Sequence, residues 1–374
     1  AVKAIDVHTH TRSKDDTPTV QGVQYFTELT YFVFDGDGLY DGRYDGDDTL
    51  KSIDLSKNTK ITELRLEYVS MESVDLSANT EIVELVLIHA SSSTSSRENG
   101  FKGLTRFKSL DLSKLTKLED LTIYDEDIEA LDLSGNTKLR RLDLRLLQKL
   151  KTIDISKNDA LEYLYVSRSG LEEFDLGSKP NLTQADIIIN ANLKSVNLTG
   201  CTVLRELRLA TNALENVDFS KNTALESLNV NQNQFKTLDL SKNTELTSFS
   251  CQENLLTCLD LSQNTKLYTV NTGTQYCTVE SATDDILDLN VFSNFDISKV
   301  QKKSDGSGGT YQFNVKSSNS ATSNYKNVGE DLLLNVDGDN CYVYYSYLVG
   351  TKSNGTEIYM SVELEIEDKY YTVK

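Results

Sequence analysis

The sequence contains no tryptophan, two prolines, three histidines and five cysteines in 374 residues. Each shortage removes a class of explanation. Zinc takes three or four protein ligands. His8 and His10 share one side of a strand if IDVHTH is extended, and only His89 remains beyond them. A zinc site would therefore need carboxylates or thiolates in an unusual mixture, and no metal ligand is assigned. Cys201, Cys251, Cys258, Cys277 and Cys341 are scattered and odd in number, so they frame neither a disulfide scaffold nor a CxxC knuckle. Mostly free, buried thiols are expected, with Cys251 and Cys258 as the alternative pair.

Basic residues are also few, 38 against 57 acidic ones, for a net charge of −19. Such a chain repels a phosphate backbone and has no basic stripe, which argues against nucleic acid and anionic membrane surfaces as partners. No run of 18 apolar residues is present to span a bilayer. The GxSxG, P-loop, Rossmann and HExxH patterns are all missing, so no catalytic residue and no cofactor is assigned. A glycosidase-like carboxylate pair cannot be read from spacing alone. The chain is expected not to be an enzyme.

What is present is repetition. IDLSKNT (53–59), VDLSANT (74–80), LDLSKLT (110–116), LDLSGNT (131–137), IDISKND (153–159), FDLGSKP (174–180), VNLTGCT (196–202), VDFSKNT (217–223), LDLSKNT (238–244) and LDLSQNT (259–265) are copies of one phrase. Their steps are 21 or 22 residues except for one of 36. Between them lies a second apolar pair, such as Leu64/Leu66, Leu142/Leu144, Leu164/Val166 and Leu228/Val230. Two period-2 runs per turn suit a solenoid with a strand on each broad side. A unit this short cannot hide its own leucines, but stacked neighbours bury each other's faces.

Asn58, Asn79, Asn136, Asn158, Asn222, Asn243 and Asn264 recur at one place after the phrase, where Leu115, Lys179 and Cys201 stand in other copies. An inward amide there would bond backbone groups left unpaired by the corner. The aspartates of the phrase, beginning with Asp54, should repel at strand spacing unless each bonds a nearby serine, threonine or backbone group, or faces an interspersed lysine. Calcium along that column is the lesser reading. Aligned with IDLSKNT, the segment IDVHTHT (5–11) places His8 and His10 where Ser56 and Asn58 stand, as substitutions in a terminal coil.

The pattern LxxLxLxxNxL with intervening LDLSxNTxL resembles the leucine-rich repeat family, especially the 21-residue type common in exported proteins of Bacteroides-like bacteria. The resemblance covers roughly residues 29 to 273. It implies that the LxL strands line a concave face and that the protein is an adhesion or protein-recognition scaffold without catalysis. It also implies a place outside the cell or on the outer-membrane surface, with membrane contact only through an N-terminal lipid anchor outside the sequence in hand. Leu115, Lys179 and Cys201 in the Asn position and Ala185 in a leucine position depart from the pattern.

Two turns are enlarged after their LxL strand. The first carries LTYFVFDGDGLYDGRYDGDDTL (29–50), whose acids at 35, 37, 41, 45, 47 and 48 read as a solvated loop or, alternatively, as a calcium loop, although EF-hand ligand order is absent. The second includes ASSSTSSRENG (90–100), read as surface. The LDLS side hardly varies between copies, whereas outward residues beside LxL vary widely. Arg65, Tyr124, Arg141, Arg145, Tyr163, Tyr165 and Arg208 are the candidate partner-binding residues, with Arg141, Arg145, Tyr163 and Tyr165 at the centre. Ordinary solvated sheet chemistry is the competing account.

From residue 281 the texture changes to longer strands: DILDLNVF (285–292), GTYQFNVK (309–316), NCYVYYSYLVG (340–350) and TEIYMSVELEI (356–366). The expected organisation is an N-terminal cap region (1–28), a mostly β leucine-rich repeat solenoid with 21–22-residue coils (29–280), and a small antiparallel β-sandwich-like domain (281–374) covering its end. The expected function is protein binding or adhesion at a cell surface, with glycan binding or nutrient capture as the alternative.

Overall fold

The computed structural model describes residues 1–8, 20, 22–36, 50–89, 105–280, 286–292, 294–301, 313–317, 324–326, 333–335 and 341–367. These fall in two compact units, Ala1–Leu204 and Arg205–Lys374. Among the described residues, regular structure is β with short 3-10 turns and no α-helix.

In the first unit the strands are β1 (Ala4–His8), β2 (Tyr31–Asp35), β3 (Glu63–Glu67), β4 (Glu84–Ile88), β5 (Asp120–Tyr124), β6 (Arg141–Arg145), β7 (Tyr163–Ser167), β8 (Glu173–Asp175), β9 (Gln184–Ile188) and β10 (Ser195–Asn197). All but β8 and β10 form one parallel sheet in chain order. The alternation that makes each LxL segment a strand also fixes its register. Leu64, Leu85, Leu121, Leu142, Leu164 and Ala185 lie side by side, as do Leu66, Leu87, Ile123, Leu144, Val166 and Ile187. Every one of these is fully buried. Each leucine so placed contributes about 2 kcal/mol of transfer free energy, and slipping any strand by one residue would expose the row.

The phrase side is not a second sheet. Among the described residues only β8 and β10 pair there, with isolated bridges at Asp132/Asp154 and Ser178/Gly200. Elsewhere the phrase is a tight corner. The Asp54 carboxylate accepts the Ser56 amide at 3.0 Å, and Asp75, Asp111, Asp132, Asp154, Asp218, Asp239 and Asp260 do the same with the serine two residues on. Serine hydroxyl and amide together hold these carboxyls below their usual range. That local bond favours a turn over a strand.

The opening segment also differs from the expected alignment. Ile5 lies beside Phe32 and Val7 beside Phe34, so IDVH is an LxL-side strand and not a copy of the IDLS corner. His8 stands beside Asp35, and its two ring nitrogens meet Asp35 and Asp6 carboxylates at 3.0 Å each. The Asp35 hydrogen bond, then the Asp6 charge, raises the imidazole above its ordinary value. His10 lies outside the described residues.

The second unit begins with β11 (Glu206–Arg208), β12 (Ser227–Asn229), β13 (Ser248–Ser250) and β14 (Thr269–Asn271), parallel with Leu207, Leu228, Phe249 and Val270 in one row. It continues with β15 (Thr274–Glu280), β16 (Ile286–Asp288), β17 (Phe313–Ser317), β18 (Asn324–Lys326), β19 (Leu333–Asn335), β20 (Cys341–Thr351) and β21 (Glu357–Glu367). A five-stranded sheet runs β15-β21-β20-β17-β18, while β16 and β19 pair separately. Its strands are antiparallel except that β15 lies parallel to β21, an exception to the all-antiparallel expectation. DILDLNVF is strand only over Ile286–Asp288 before a 3-10 turn. Val343, Tyr345 and Tyr347 are buried, and the sheet bonds the last repeat through Leu261 N to Val349 O (2.7 Å) and Tyr345 Oη to Thr257 O (2.8 Å).

Candidate binding face

Two amide ladders tie successive segments to one another. In the first, Asn158 Nδ2 donates to Leu133 O (3.1 Å) and Asn136 O (2.9 Å), and Asn79, Asn136 and Asn264 make the same two bonds one segment back. In the second, Asn254 Nδ2 donates to Val230 O and Cys251 O, Asn233 to Leu209 O and Val230 O, and Gln275 to Cys251 O and Thr272 O. The asparagines are thus structural, as their recurrence implied. Past the LxL strands the chain turns through a left-handed residue: Tyr68, Asp125, Leu146, Arg168, Ile189, Thr211, Gln232 and Glu253, with φ from 50° to 61°. In the first unit Asn190 Nδ2 donates to Val166 O on β7 at 3.2 Å and to Ile188 O on β9 at 3.1 Å, which fixes those strand backbones and so the side chains upon them.

On that face Arg141 lies beside Tyr163 and Asp143 beside Tyr165. The Arg141 guanidinium sits 4.2 Å from the centre of the Tyr163 ring, and that of Arg145 sits 4.2 Å from the Tyr165 ring. Guanidinium over a ring face is a favourable electrostatic contact that also stiffens a long side chain. Arg145 further donates Nε and Nη2 to the two oxygens of Asp143, at 2.7 and 2.6 Å, and that bond raises its pKa. Arg65 likewise donates Nε to Glu67 on its own strand at 3.0 Å. Among the described residues Arg141 has no such bond; it forms an ion pair with Asp120 at 3.8 Å. Burial lifts the Asp120 carboxyl above its usual range, and Arg141 only partly offsets this.

The four residues placed at the centre therefore come together on adjacent strands. Tyr124 stands beside Arg145 in the register and is half-buried. Arg65 lies on β3, and Arg208 belongs to the second unit, beside Asn229. Asp143 and Asp186 share the outward side with Arg145 and Tyr165 but are only 3% exposed, covered there by their neighbours. Residues 37–48 of the acidic loop and the serine-rich insertion lie outside the described residues. Among the described residues no three His, Cys, Asp or Glu side chains are grouped to hold a metal ion. No disulfide joins Cys251 and Cys258, so the alternative of a bond between them is set aside.

A buried polar group was missed by the sequence reading. Where the second insertion leaves and rejoins the fold, His89 is fully buried and neither ring nitrogen has a hydrogen-bond partner among the described residues. Nearby Glu126 accepts the Phe107 amide through Oε2 at 2.7 Å, while Oε1 is buried without a partner among the described residues. Burial pushes this carboxyl well above its usual range. A raised folded-state pKa gives stability that is present below the unfolded value and is lost as pH rises through the folded one. Glu126→Gln, which keeps an oxygen for Phe107 and carries no charge, should therefore raise the melting temperature at pH 7, with a smaller gain at about pH 4.5. Parallel thermal melts at the two pH values check this.

No family model matches the chain. No curated protein matches it either. Among solved structures it is similar to the functional domain of InlJ from Listeria monocytogenes, over 92% of this chain and 78% of that one, with 21% identity and a TM-score of 0.50. The fold is leucine-rich-repeat-like. Two further repeat structures match more loosely: a leucine-rich repeat protein of Leptospira interrogans (13% identity, 75% of this chain, 83% of that one, TM-score 0.42) and the internalin InlF of Listeria monocytogenes (17%, 72%, 86%, 0.38). The InlJ domain includes a cysteine ladder; the repeats here carry ladders of asparagine.

Proposed function

We propose that the chain is a leucine-rich repeat scaffold of 21–22-residue coils that binds a protein partner through the outer face of its LxL strands. The adjacent Arg141–Tyr163 and Arg145–Tyr165 stacks are the observation that carries this reading. Tyrosine and arginine held in fixed rotamers lose little entropy on association, and they form the anchors at which binding energy concentrates. Tyr163 and Tyr165 with the two arginines are the centre, and Arg65, Tyr124 and Arg208 are outlying contacts. Residues 1–28 serve as a cap region, 29–280 as the repeat body and 281–374 as the end cover. The protein acts outside the cell or on its outer surface, by complementarity without bond chemistry.

Glycan capture on the same tyrosines is less well supported, because the guanidinium groups lie over ring faces that a sugar would use. The test places a photo-crosslinking residue at Tyr165 in one variant and at Asp154, on the phrase corner, in another. After irradiation with solubilised cell-surface proteins, a discrete adduct should form from position 165 and not from 154. Equal yields from both positions would remove the face from consideration.

A further inference from the structure

Within a few ångströms, the face displays one complete arrangement and one incomplete arrangement of the same kind. At Arg145 the guanidinium rests on Tyr165 and holds both oxygens of Asp143. At Arg141 the guanidinium rests on Tyr163 at the same 4.2 Å, yet no carboxylate of the described residues lies within hydrogen-bond distance. The Arg141 side chain is 45% exposed, against 38% for Arg145. We infer that Arg141, held over Tyr163, is a docking site for one carboxylate side chain of the protein partner.

The inference rests on the protein-binding reading above and adds the chemistry of the contact. A stacked guanidinium presents a planar row of donors that matches two carboxylate oxygens, and its orientation is already set before the partner arrives. Asp120 does not fill the role: at 3.8 Å it is too distant to accept a hydrogen bond. The surroundings limit what else the partner carries. Asp120 lies beside Arg141, Asp143 is bonded to Arg145 and Asp186 lies beside Tyr165, and the whole chain bears −19, so a run of acids would be repelled. The segment that fits is a single Glu or Asp set among basic or neutral residues. Long-range attraction then brings the basic surface in, and Arg141 selects the one acid.

Two probes separate these effects: acetyl-Lys-Lys-Glu-Lys-Lys-amide and its Gln counterpart. Each is titrated into the full chain while the Arg141 Nε–H resonance is followed by NMR. The Glu peptide should shift that resonance saturably and bind roughly tenfold more tightly than the Gln peptide, the scale of a charge-assisted hydrogen bond. Arg141→Lys should abolish the preference, because an ammonium cannot reproduce the planar pair of donors. Lys60→Gln should leave it intact, since Lys60 is paired with Glu28 and lies outside the LxL strands. Equal affinity for the two peptides, or a Glu preference that survives Arg141→Lys, would overturn the carboxylate site. So would the absence of any shift at Arg141 with either peptide. Those results would leave the crosslinking test of the face standing, whereas failure of that test alone would remove the broader reading.

Discussion

An Asn158→Asp variant should be less stable than the parent by about 4 kcal/mol at neutral pH, the scale of a buried charge without a counter-ion. Asn158 is fully buried and its amide hydrogens go to two carbonyl oxygens, Leu133 O and Asn136 O. A carboxylate of the same shape would bring a negative oxygen against both. Its folded-state pKa must therefore rise, which places its favourable contribution below the unfolded value and removes it as pH climbs. The deficit relative to the parent should shrink towards about pH 4, where a protonated carboxyl donates one hydrogen again. Asn158→Ala, which loses two bonds and leaves a small cavity, should cost about 2 kcal/mol with no such pH dependence. Urea unfolding followed by circular dichroism at both pH values checks the pair. An aspartate deficit that does not change with pH would show that the ladder amide is not donating.

His89 should make the protein lose stability on mild acidification. Burial first, and the Arg106 charge second, push its imidazole down to about 4. Below an ordinary pKa of about 6.5 the unfolded chain takes up a proton that the folded chain refuses, so the stability present above 6.5 drains away as pH falls towards 4. The full loss is about 3 kcal/mol, at 1.36 kcal/mol per pH unit of displacement. Arg106 is bonded to Asp125 and Lys149 to Asp127, so the charged groups around the imidazole are largely engaged with one another. In His89→Phe the slope between pH 6.5 and 4.5 should flatten by most of this amount. Denaturation midpoints across that window would decide it, and identical slopes for parent and variant would exclude His89 as the source.

The sheet and the first ladder were legible because each carries a residue signature. Leucine at alternate positions predicts which side of β6 or β7 is buried, and asparagine after each phrase predicts an amide facing backbone. The corner was only half legible: LDLS alternates like a strand, and what defeats the strand is the bond from the Asp carboxylate to the next serine amide, which periodicity does not register. The same ambiguity misplaced IDVHTH, since Ile5 and Val7 fit either apolar run and only their pairing with Phe32 and Phe34 chooses between them. The left-handed column could not be read at all, for its members include Leu146, Ile189 and Glu253, with no shared side-chain chemistry. At the binding face the residues were nameable but their division of labour was not. Arg65, Arg141 and Arg145 look equivalent in sequence, and only the fold separates the two hydrogen-bonded to a carboxylate from the one that has an ion pair at 3.8 Å.

The amide ladder has a consequence for how such a chain changes length over generations. Asn79 reaches back to Leu55 and Asn58, and Asn158 to Leu133 and Asn136, each depending on the segment immediately before it. Duplicating or excising one whole segment therefore hands every remaining amide an equivalent neighbour. Losing a handful of residues from within a segment strands its amide opposite the wrong atoms. Copy number is the inexpensive variable in this architecture, and the reach of the binding face can be retuned by gene duplication without redesigning the interior.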